Sequence, residues 1–270
     1  MSERRASSDG ATRRDALRLA GAAGAAGLTA LSGCAALGSS VPGESGGGGD
    51  VTTTGGSGGG GGTASDDPAR VRASTKETPL GTSLAGNPVQ GAPDAPVDLY
   101  YWSDFQCPFC KRFEKNTRPK LVEGPVADGQ VRLVYLELPN IGSASWRAAA
   151  HSKCVWRRVK DDDPGTYLDW HEAVYAAQEK PNSGWANREN LLSITESVDG
   201  VSRDGVETCL SESEQAVKDT IRADVERAKS HGIAVTPSFL LHDKADEETR
   251  QIAGAQPYER FASVLRSMLA

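Results

Sequence analysis

Two cysteines separated by two residues lie at the junction between an apolar segment and a stretch with helical character. Cys107 and Cys110 belong to the sequence SDFQCPFCKRFE, and the apolar, aromatic run 97–102 precedes it. Such a run is typical of a buried β-strand. Pro108 suits the first position of a helix, where its missing N–H group costs nothing. The sequence therefore predicts that Cys107 caps a helix that follows directly on a strand.

The predicted helix start favours an ionised Cys107 sulfur. Free N–H groups and the helix macrodipole stabilise negative charge at this end of a helix. Cysteines in such CxxC motifs have pKa values lowered to about 3.5 to 7.5. Cys110 lies within reach of Cys107 for a disulfide. Because so small a ring restrains the unfolded chain little, the bond would add little stability. The pair is therefore predicted to be redox-active.

Two other interpretations of the pair are open at this point. A zinc site needs about four ligands, usually as paired CxxC motifs or as CxxC with a spaced histidine pair. The other cysteines of the body, Cys154 and Cys209, are isolated, and no histidine pair has ligand spacing. We therefore expect no metal site. A purely structural link between Cys107 and Cys110 is the second alternative.

The order of the predicted elements defines the fold class. Apolar runs predict strands at residues 97–102, 131–138, 236–242 and 250–253. Helical patterns cover residues 108–122, 145–178, 187–210, 212–231 and 258–269. Pro119 is expected to bend or end the first helix, and Gly232 to stop the fourth. This order is that of an α/β thioredoxin fold with a helical insertion, at about residues 144–211, between its βαβ and ββα halves.

A second segment carries information about the site. In GIAVTPSFLL, Thr236 and Pro237 come directly before an apolar strand, and the first position of a strand tolerates a proline. Together with SDFQCPFCKRFE, IAGAQPYERFASVL, AAAHSKCVW and DWHEAVYAA, this segment resembles the DsbA-like family of exported thiol:disulfide oxidoreductases with a thioredoxin fold. The resemblance covers about residues 94–270.

The resemblance implies a role for each residue of the CxxC motif. Cys107 would be the nucleophile that forms a mixed disulfide with a substrate, and Cys110 would resolve that disulfide. Pro108 and Phe109 would tune the redox potential. No cofactor is implied.

The resemblance also implies a substrate-binding loop and a buried acid. The Thr236–Pro237 bond would be cis, with Pro237 beside Cys107 and the Thr236 backbone paired with an extended substrate segment. An ordinary trans proline is the alternative. Thioredoxin-like proteins often hold a buried carboxylate near the cysteine pair as a proton acceptor, and Asp104 and Glu137 are the candidates.

The remaining cysteines of the body, Cys154 and Cys209, both fall in the predicted insertion, where some relatives have a second disulfide. We expect a structural Cys154–Cys209 bridge. Two buried free thiols are the alternative.

The first 33 residues resemble an export signal. Arg13 and Arg14 begin the pattern TRRDAL, a weakly apolar run follows, and residues 31–34 form the lipobox LSGC. The prediction is a twin-arginine signal that is cleaved before Cys34, which then carries a lipid. A cleaved signal without lipid and an uncleaved anchor are alternatives.

A glycine-rich tether is predicted at residues 34–93, before a domain at 94–270. Of the 30 glycines, 12 fall between Gly43 and Gly62, and a segment of this composition cannot bury enough apolar surface to fold. The domain would then lie outside the cytosol, anchored to the outer face of the membrane, where disulfides persist.

Charge and location limit the partners. The net charge of −6 and the lack of a basic stripe argue against nucleic acid. We expect a monomer that exchanges disulfides with exported proteins that carry cysteine thiols, and a membrane redox partner linked to quinones. An oxidase is favoured, because a stable Cys107 thiolate stabilises the reduced form. A reductase or isomerase, or a non-catalytic peptide-binding module, is the alternative.

Overall fold

The structure is a computed structural model that describes residues 67–270. Its framework is a six-stranded sheet in the order β1-β2-β4-β3-β5-β6. The strands are β1 (Val71–Arg72), β2 (Val89–Gln90), β3 (Val97–Ser103), β4 (Val131–Glu137), β5 (Ser238–Asp243) and β6 (Thr249–Ala253). The central strands β3 and β4 are parallel, and the other neighbours are antiparallel.

The two central strands are buried along their whole length. Alternate residues of β3 point to opposite faces of the sheet. Tyr101 belongs to a core that includes Phe113 and Phe261. Tyr100 and Trp102 belong to a second core, which also contains Leu84 and, from the long helix before β5, Ala228. Both faces of the sheet are therefore covered, as the continuous apolar runs predict.

The helical connection between β3 and β4 has three parts. Helix α1 (Pro108–Asn116) starts at the CxxC motif, helix α2 (Arg118–Leu121) follows, and a π-helical turn covers Val122–Val126. Pro119 has no N–H group with which to continue the ladder of α1, so α1 ends before it and Pro119 lies in the first turn of α2. This break lies where Pro119 was expected to bend or end the helix.

The helical insertion consists of α3 (Ser143–Val159), α4 (Thr166–Ala177), α5 (Arg188–Glu196) and α6 (Arg203–Glu212). These helices match the predicted span 144–211 to within a residue at each end. Helix α7 (Glu214–Ser230) leads back to the sheet, and Gly232 follows it with φ +69°, a conformation that suits glycine. Helix α8 (Tyr258–Met268) closes the ββα half.

A disulfide joins the first and last helices of the insertion. Cys154 of α3 and Cys209 of α6 are bonded, their Cα atoms are 5.7 Å apart, and they are 55 residues apart in sequence. The bond lies in the apolar core of the insertion, which also contains Trp156 and Trp170.

Residues 67–93 belong to the domain, which differs from the predicted tether. Strand β2 pairs with β4, β1 pairs with β2, and Leu84 and Val89 are buried. Asn87 contacts a buried ion pair, in which Lys153 Nζ lies 2.7 Å from Asp224 Oδ2. The predicted boundary at residue 94 is therefore too late. The segment is polar and its strands are only two residues long, so its order depends on pairing with β4 rather than on a local pattern.

The predicted export signal, the lipobox cysteine Cys34 and residues 34–66 of the predicted tether lie outside the described residues. Within residues 67–270, none of the helices has the length and apolar character needed to cross a bilayer. The same part of the chain contains no group of three or more His, Cys, Asp or Glu side chains that could hold a metal ion.

The Cys154–Cys209 bond is expected to contribute strongly to stability. Because it closes a loop of 55 residues, the Cys154→Ala/Cys209→Ala variant should lose about 4 kcal/mol of unfolding free energy on the chain-entropy model. Guanidinium unfolding measures this loss. The Cys107→Ala/Cys110→Ala variant is the control, since its small ring should contribute far less. A loss no larger than that of the control would contradict the prediction.

Candidate active site

The cysteine pair lies at the start of α1, a few residues after strand β3 ends. Cys107 is the N-cap residue, with φ −83° and ψ 117°, and Pro108 occupies the first helical turn. Both cysteines are free thiols in this structure. Cys107 is 4% exposed and Cys110 is fully buried. Both cysteines are therefore buried, Cys110 completely.

The loop before β5 lies directly against the Cys107 sulfur. The Cys107 thiol donates a hydrogen bond to the Thr236 carbonyl oxygen, at 3.3 Å. The Thr236–Pro237 peptide bond is cis, and β5 begins at the next residue, Ser238. Residues 107 and 236, which are distant in sequence, thus form one site.

Hydrogen bonds lower the pKa of Cys107 to about 6. The largest contribution is a hydrogen bond from the Cys110 thiol, and it outweighs the opposing effect of burial. The Thr236 side chain and the backbone N–H groups of Phe109 and Cys110 also donate hydrogen bonds that stabilise the thiolate. The N–H contributions are those expected at a helix start.

The second cysteine has the opposite character. Burial raises the pKa of Cys110 well above its usual value, and the neighbouring Cys107 sulfur raises it further. At neutral pH the pair therefore holds one thiolate, on Cys107, and one thiol, on Cys110. Cys107 is the sulfur suited to attack and to leave as an anion.

Asp104 holds the loop between β3 and α1 in place. Its carboxylate accepts hydrogen bonds from the backbone N–H groups of Gln106 at 2.8 Å, Asn140 at 2.9 Å and Ile141 at 3.1 Å. These bonds tie the CxxC loop to the loop after β4. Burial raises the pKa of Asp104, which opposes the effect of the three donors.

The other candidate acid, Glu137, is hydrogen-bonded to the helical insertion. It ends β4, and Ser152 of α3 donates a hydrogen bond to its Oε1 at 2.6 Å. Burial raises the pKa of Glu137 to about 7, and the charge of Lys153 opposes that rise. This carboxylate thus takes part in the contact between the sheet and the insertion.

Two apolar side chains close in sequence to the contacts of the Cys107 sulfur are exposed. Phe109 is 52% exposed and Val235 is 56% exposed, and each is within two residues of a group that contacts the Cys107 sulfur. The Arg112 guanidinium lies 4.9 Å from the centre of the Phe109 ring. One exposed apolar side chain thus lies in the CxxC motif and one in the loop before β5.

Gln178, which the sequence analysis did not single out, positions the CxxC loop. It follows α4, and its Nε2 donates to the carbonyl oxygens of Phe105 at 2.6 Å and Cys107 at 3.1 Å. An amide about 70 residues away gives no local signal. The helical insertion therefore supports the active-site loop directly.

Comparison with known proteins places this site in a family. The sequence profile of the thioredoxin family matches residues 83–265. Disulfide bond formation protein D of Bacillus subtilis is 26% identical over 162 residues, which are 60% of this chain and 70% of that protein.

Comparison with solved structures identifies the fold. The crystal structure of oxidised BdbD from Bacillus subtilis matches with a TM-score of 0.60 and 23% identity, over 73% of this chain and 98% of that one. A periplasmic thioredoxin-like protein from Salmonella enterica serovar Typhimurium matches with a TM-score of 0.51 and 21% identity, over 68% of this chain and 90% of that one.

The chain therefore belongs to the thioredoxin family. The predicted α/β thioredoxin fold with a helical insertion is confirmed. The predicted enzyme class is also confirmed: the chain is a protein disulfide oxidoreductase, DsbA-like and similar to BdbD.

The difference between the two thiols predicts a pH dependence. In the reduced protein, iodoacetamide should alkylate Cys107 with a midpoint near its pKa of about 6, because the reactive thiolate is lost as the pH falls through that value. Cys110 should stay unmodified at neutral pH. Peptide mass mapping across a pH series measures both rates. In Cys110→Ala the midpoint should rise, since the largest stabilising hydrogen bond is gone. A Cys107 midpoint in the ordinary range, at about 8.5, would contradict the prediction.

Proposed function

We propose that the protein is an exported thiol oxidase that passes a Cys107–Cys110 disulfide to substrate proteins. The observation that carries the proposal is the lowered pKa of Cys107 beside the raised pKa of Cys110. A thiolate that is stabilised only in the reduced form makes reduction of the pair favourable, so the oxidised pair is a strong acceptor of electrons.

The reaction proceeds through a mixed disulfide. A substrate thiolate attacks the Cys107 sulfur, the Cys107–Cys110 bond breaks, and Cys110 leaves with the electron pair and takes up a proton. A second substrate thiolate then attacks the substrate sulfur of the mixed disulfide. Cys107 leaves as a stabilised thiolate, the substrate gains one disulfide, and two electrons remain on the enzyme.

The substrate is proposed to bind as an extended segment along the Thr236 backbone, with Pro237 beside the sulfur. The contact between the Cys107 sulfur and the Thr236 carbonyl oxygen, at 3.3 Å, supports this position. Exposed Phe109 and Val235 would cover apolar side chains that flank the substrate cysteine. Phe109 would thus act mainly through substrate contact, and Pro108 through the helix start that it favours.

The proposed location is the outer face of the cell membrane. Residues 1–33 would direct export by the twin-arginine route, and a lipid on Cys34 would hold the protein. The periplasmic location of the Salmonella enterica protein supports an extracytoplasmic site. Residues 35–66 would then be the tether, with a root-mean-square reach of about 30 Å.

The proposed partners follow from this location. Substrates are exported proteins with cysteine thiols, and a membrane protein linked to quinones would accept the electrons and restore the Cys107–Cys110 disulfide. The domain would act as a monomer.

The redox potential of the Cys107/Cys110 couple tests the direction of electron flow. Equilibration with glutathione buffers should give a value nearer to about −120 mV than to about −270 mV, the values of a strong oxidant and of thioredoxin. Cys107→Ser is the control, which should lose all dithiol oxidation. A potential near that of thioredoxin would favour a reductase. Undiminished activity in Cys107→Ser would favour a non-catalytic peptide-binding module.

The role of Cys34 is tested by cell fractionation of the full chain in a bacterium that exports it. The wild-type protein should sediment with membranes and be released by detergent, whereas Cys34→Ala should be recovered in the soluble fraction. A variant with Arg13→Lys and Arg14→Lys should instead accumulate as an uncleaved precursor. A Cys34→Ala protein that still sediments with membranes would contradict lipid anchoring.

A further inference from the structure

A small open cavity, which we call the α3/α7 cavity, lies between the helices of the insertion and α7. Its volume is about 290 Å³, and its wall contains residues of α3, α5, α6 and α7. Pockets for drug-sized ligands begin at about 300 Å³. A cavity of this size therefore suits a molecule with a single ring rather than a nucleotide or a folded protein segment.

His151 of α3 brings an unpaired hydrogen-bond acceptor to the wall of this cavity. The side chain is 1% exposed, and its Nδ1 atom lies 2.8 Å from the Arg147 carbonyl oxygen. Because a carbonyl oxygen only accepts, Nδ1 carries the proton and donates. The Nε2 atom is buried and has no hydrogen-bond partner among residues 67–270. Since an unpaired buried polar atom is costly, a ligand that donates to Nε2 would be stabilised here.

The surroundings keep the His151 imidazole neutral. Burial is the main cause that lowers the pKa of His151 to about 4, and the charges of Arg188 and Arg147 add to it, against the opposing effect of the hydrogen bond to the Arg147 carbonyl. At neutral pH Nε2 therefore keeps its lone pair and can only accept a hydrogen bond. A neutral donor such as a hydroxyl group fits beside it, because the nearby arginines would repel an ammonium group.

The charged side chains around the α3/α7 cavity favour an anion. Three basic side chains and one acidic side chain contribute to its wall: Arg147, Arg188, Lys218 and Glu214. Lys218 pairs with Glu214 and Arg188 pairs with Glu207, in contacts between largely exposed side chains that contribute little. Arg147 donates to the Ala186 carbonyl oxygen at 2.9 Å, and no acidic side chain of residues 67–270 pairs with it. Arg147 is therefore available to an anionic group of a ligand.

Three helix starts add to the positive potential of the cavity. The first residues of α3, α5 and α7 all contribute to its wall, and they are Ser143, Arg188 and Glu214. The N-terminal end of a helix carries a partial positive charge, which acts within its first turn. Side chains and backbone therefore both favour a ligand with a negative charge.

An aromatic ring and aliphatic side chains form the apolar part of the cavity. Trp146 is 36% exposed and belongs to the cavity wall. Leu210 of α6 and two residues of α7, Val217 and Ile221, also belong to it. An aromatic ligand packs favourably against an indole ring, and removal of its surface from water adds to binding. The body of the ligand should therefore be an aromatic ring.

We propose that the α3/α7 cavity binds a small aromatic carboxylate that carries a hydroxyl group. The ring packs against Trp146, the hydroxyl group donates to His151 Nε2, and the carboxylate pairs with Arg147. Arg147 and His151 are four residues apart in α3, so they lie on one face of the helix with Cβ atoms about 5–6 Å apart. A molecule one ring long can therefore contact both side chains.

Simpler molecules would satisfy only part of this cavity. A chloride or acetate ion would pair with Arg147 but leave His151 Nε2 without a donor. A neutral phenol would donate to Nε2 but leave Arg147 without an anion, and an amine would meet the repulsion of the basic side chains. The combination of a buried neutral acceptor, an unpaired arginine and an exposed indole thus selects the hydroxyl-bearing aromatic acid.

Binding of four related compounds to the full-length protein tests the proposal by isothermal titration calorimetry. The probe is 4-hydroxyphenylacetate. Phenylacetate lacks its hydroxyl group, 4-methoxyphenylacetate keeps the oxygen but cannot donate, and 2-(4-hydroxyphenyl)ethanol lacks the carboxylate. The probe should bind about tenfold more tightly than each of the other three, because each of them loses one of the two polar contacts.

Matched variants locate the two polar contacts. His151→Asn keeps a donor for the Arg147 carbonyl but removes Nε2, so it should bind the probe about tenfold more weakly and phenylacetate as the wild type does. Arg147→Gln should lose the preference for the probe over 2-(4-hydroxyphenyl)ethanol. Arg158→Gln is the control, since this exposed arginine of α3 does not line the cavity, and its binding should be unchanged.

Three results would overturn the proposal. They are no binding of the probe at millimolar concentration, equal binding of the probe and phenylacetate, and unchanged binding in Arg147→Gln. If His151→Asn does not fold, the four compounds and Arg147→Gln decide, because Arg147 is exposed.

The test is independent of the proposed thiol exchange. No residue of the CxxC motif or of the loop before β5 lines the α3/α7 cavity. A Cys107→Ser/Cys110→Ser variant, which cannot exchange disulfides, should therefore bind the probe as tightly as the wild type. Loss of binding in this variant would place the ligand at the cysteine pair and contradict the inference.

Discussion

The site depends on the opposite environments of two sulfur atoms one helical turn apart. Cys107 precedes the first turn of α1, where hydrogen bonds lower its pKa to about 6. Cys110 lies inside the same helix, where burial raises its pKa. The charge on Cys107 and the proton on Cys110 support each other, because the Cys110 thiol donates to the Cys107 thiolate. This difference makes Cys107 the sulfur suited to attack and to leave as an anion, as the proposed reaction requires.

The rest of the domain keeps this difference in place. Asp104 ties the CxxC loop to the loop after β4, and Gln178 binds the Cys107 carbonyl from the end of α4. The loop before β5 supplies the Thr236 side chain, whose hydrogen bond helps to lower the pKa of Cys107. Three parts of the chain, each from a different half of the fold or from the insertion, thus meet at the CxxC loop. The helical insertion is therefore part of the active site and not an addition beside it.

The sequence predicts those parts of this arrangement that are determined by residues close together in the chain. Pro108 after Cys107 indicates a helix start, and the continuous apolar runs at 97–102 and 131–138 indicate buried central strands. Strands β1 and β2 have no such pattern, because their order depends on pairing with β4.

The two cysteine pairs also show why exposure alone does not decide which disulfide exchanges. Cys209 is 8% exposed and Cys107 is 4% exposed, so solvent access would favour the wrong pair. A disulfide exchanges readily when the sulfur that leaves is stable as a thiolate. Cys107 precedes a helix, where N–H groups stabilise negative charge, whereas Cys209 lies in the last turn of α6, where the helix dipole opposes it. The position of each sulfur along its helix therefore suits the Cys107–Cys110 pair to the proposed exchange and the Cys154–Cys209 bond to a structural role.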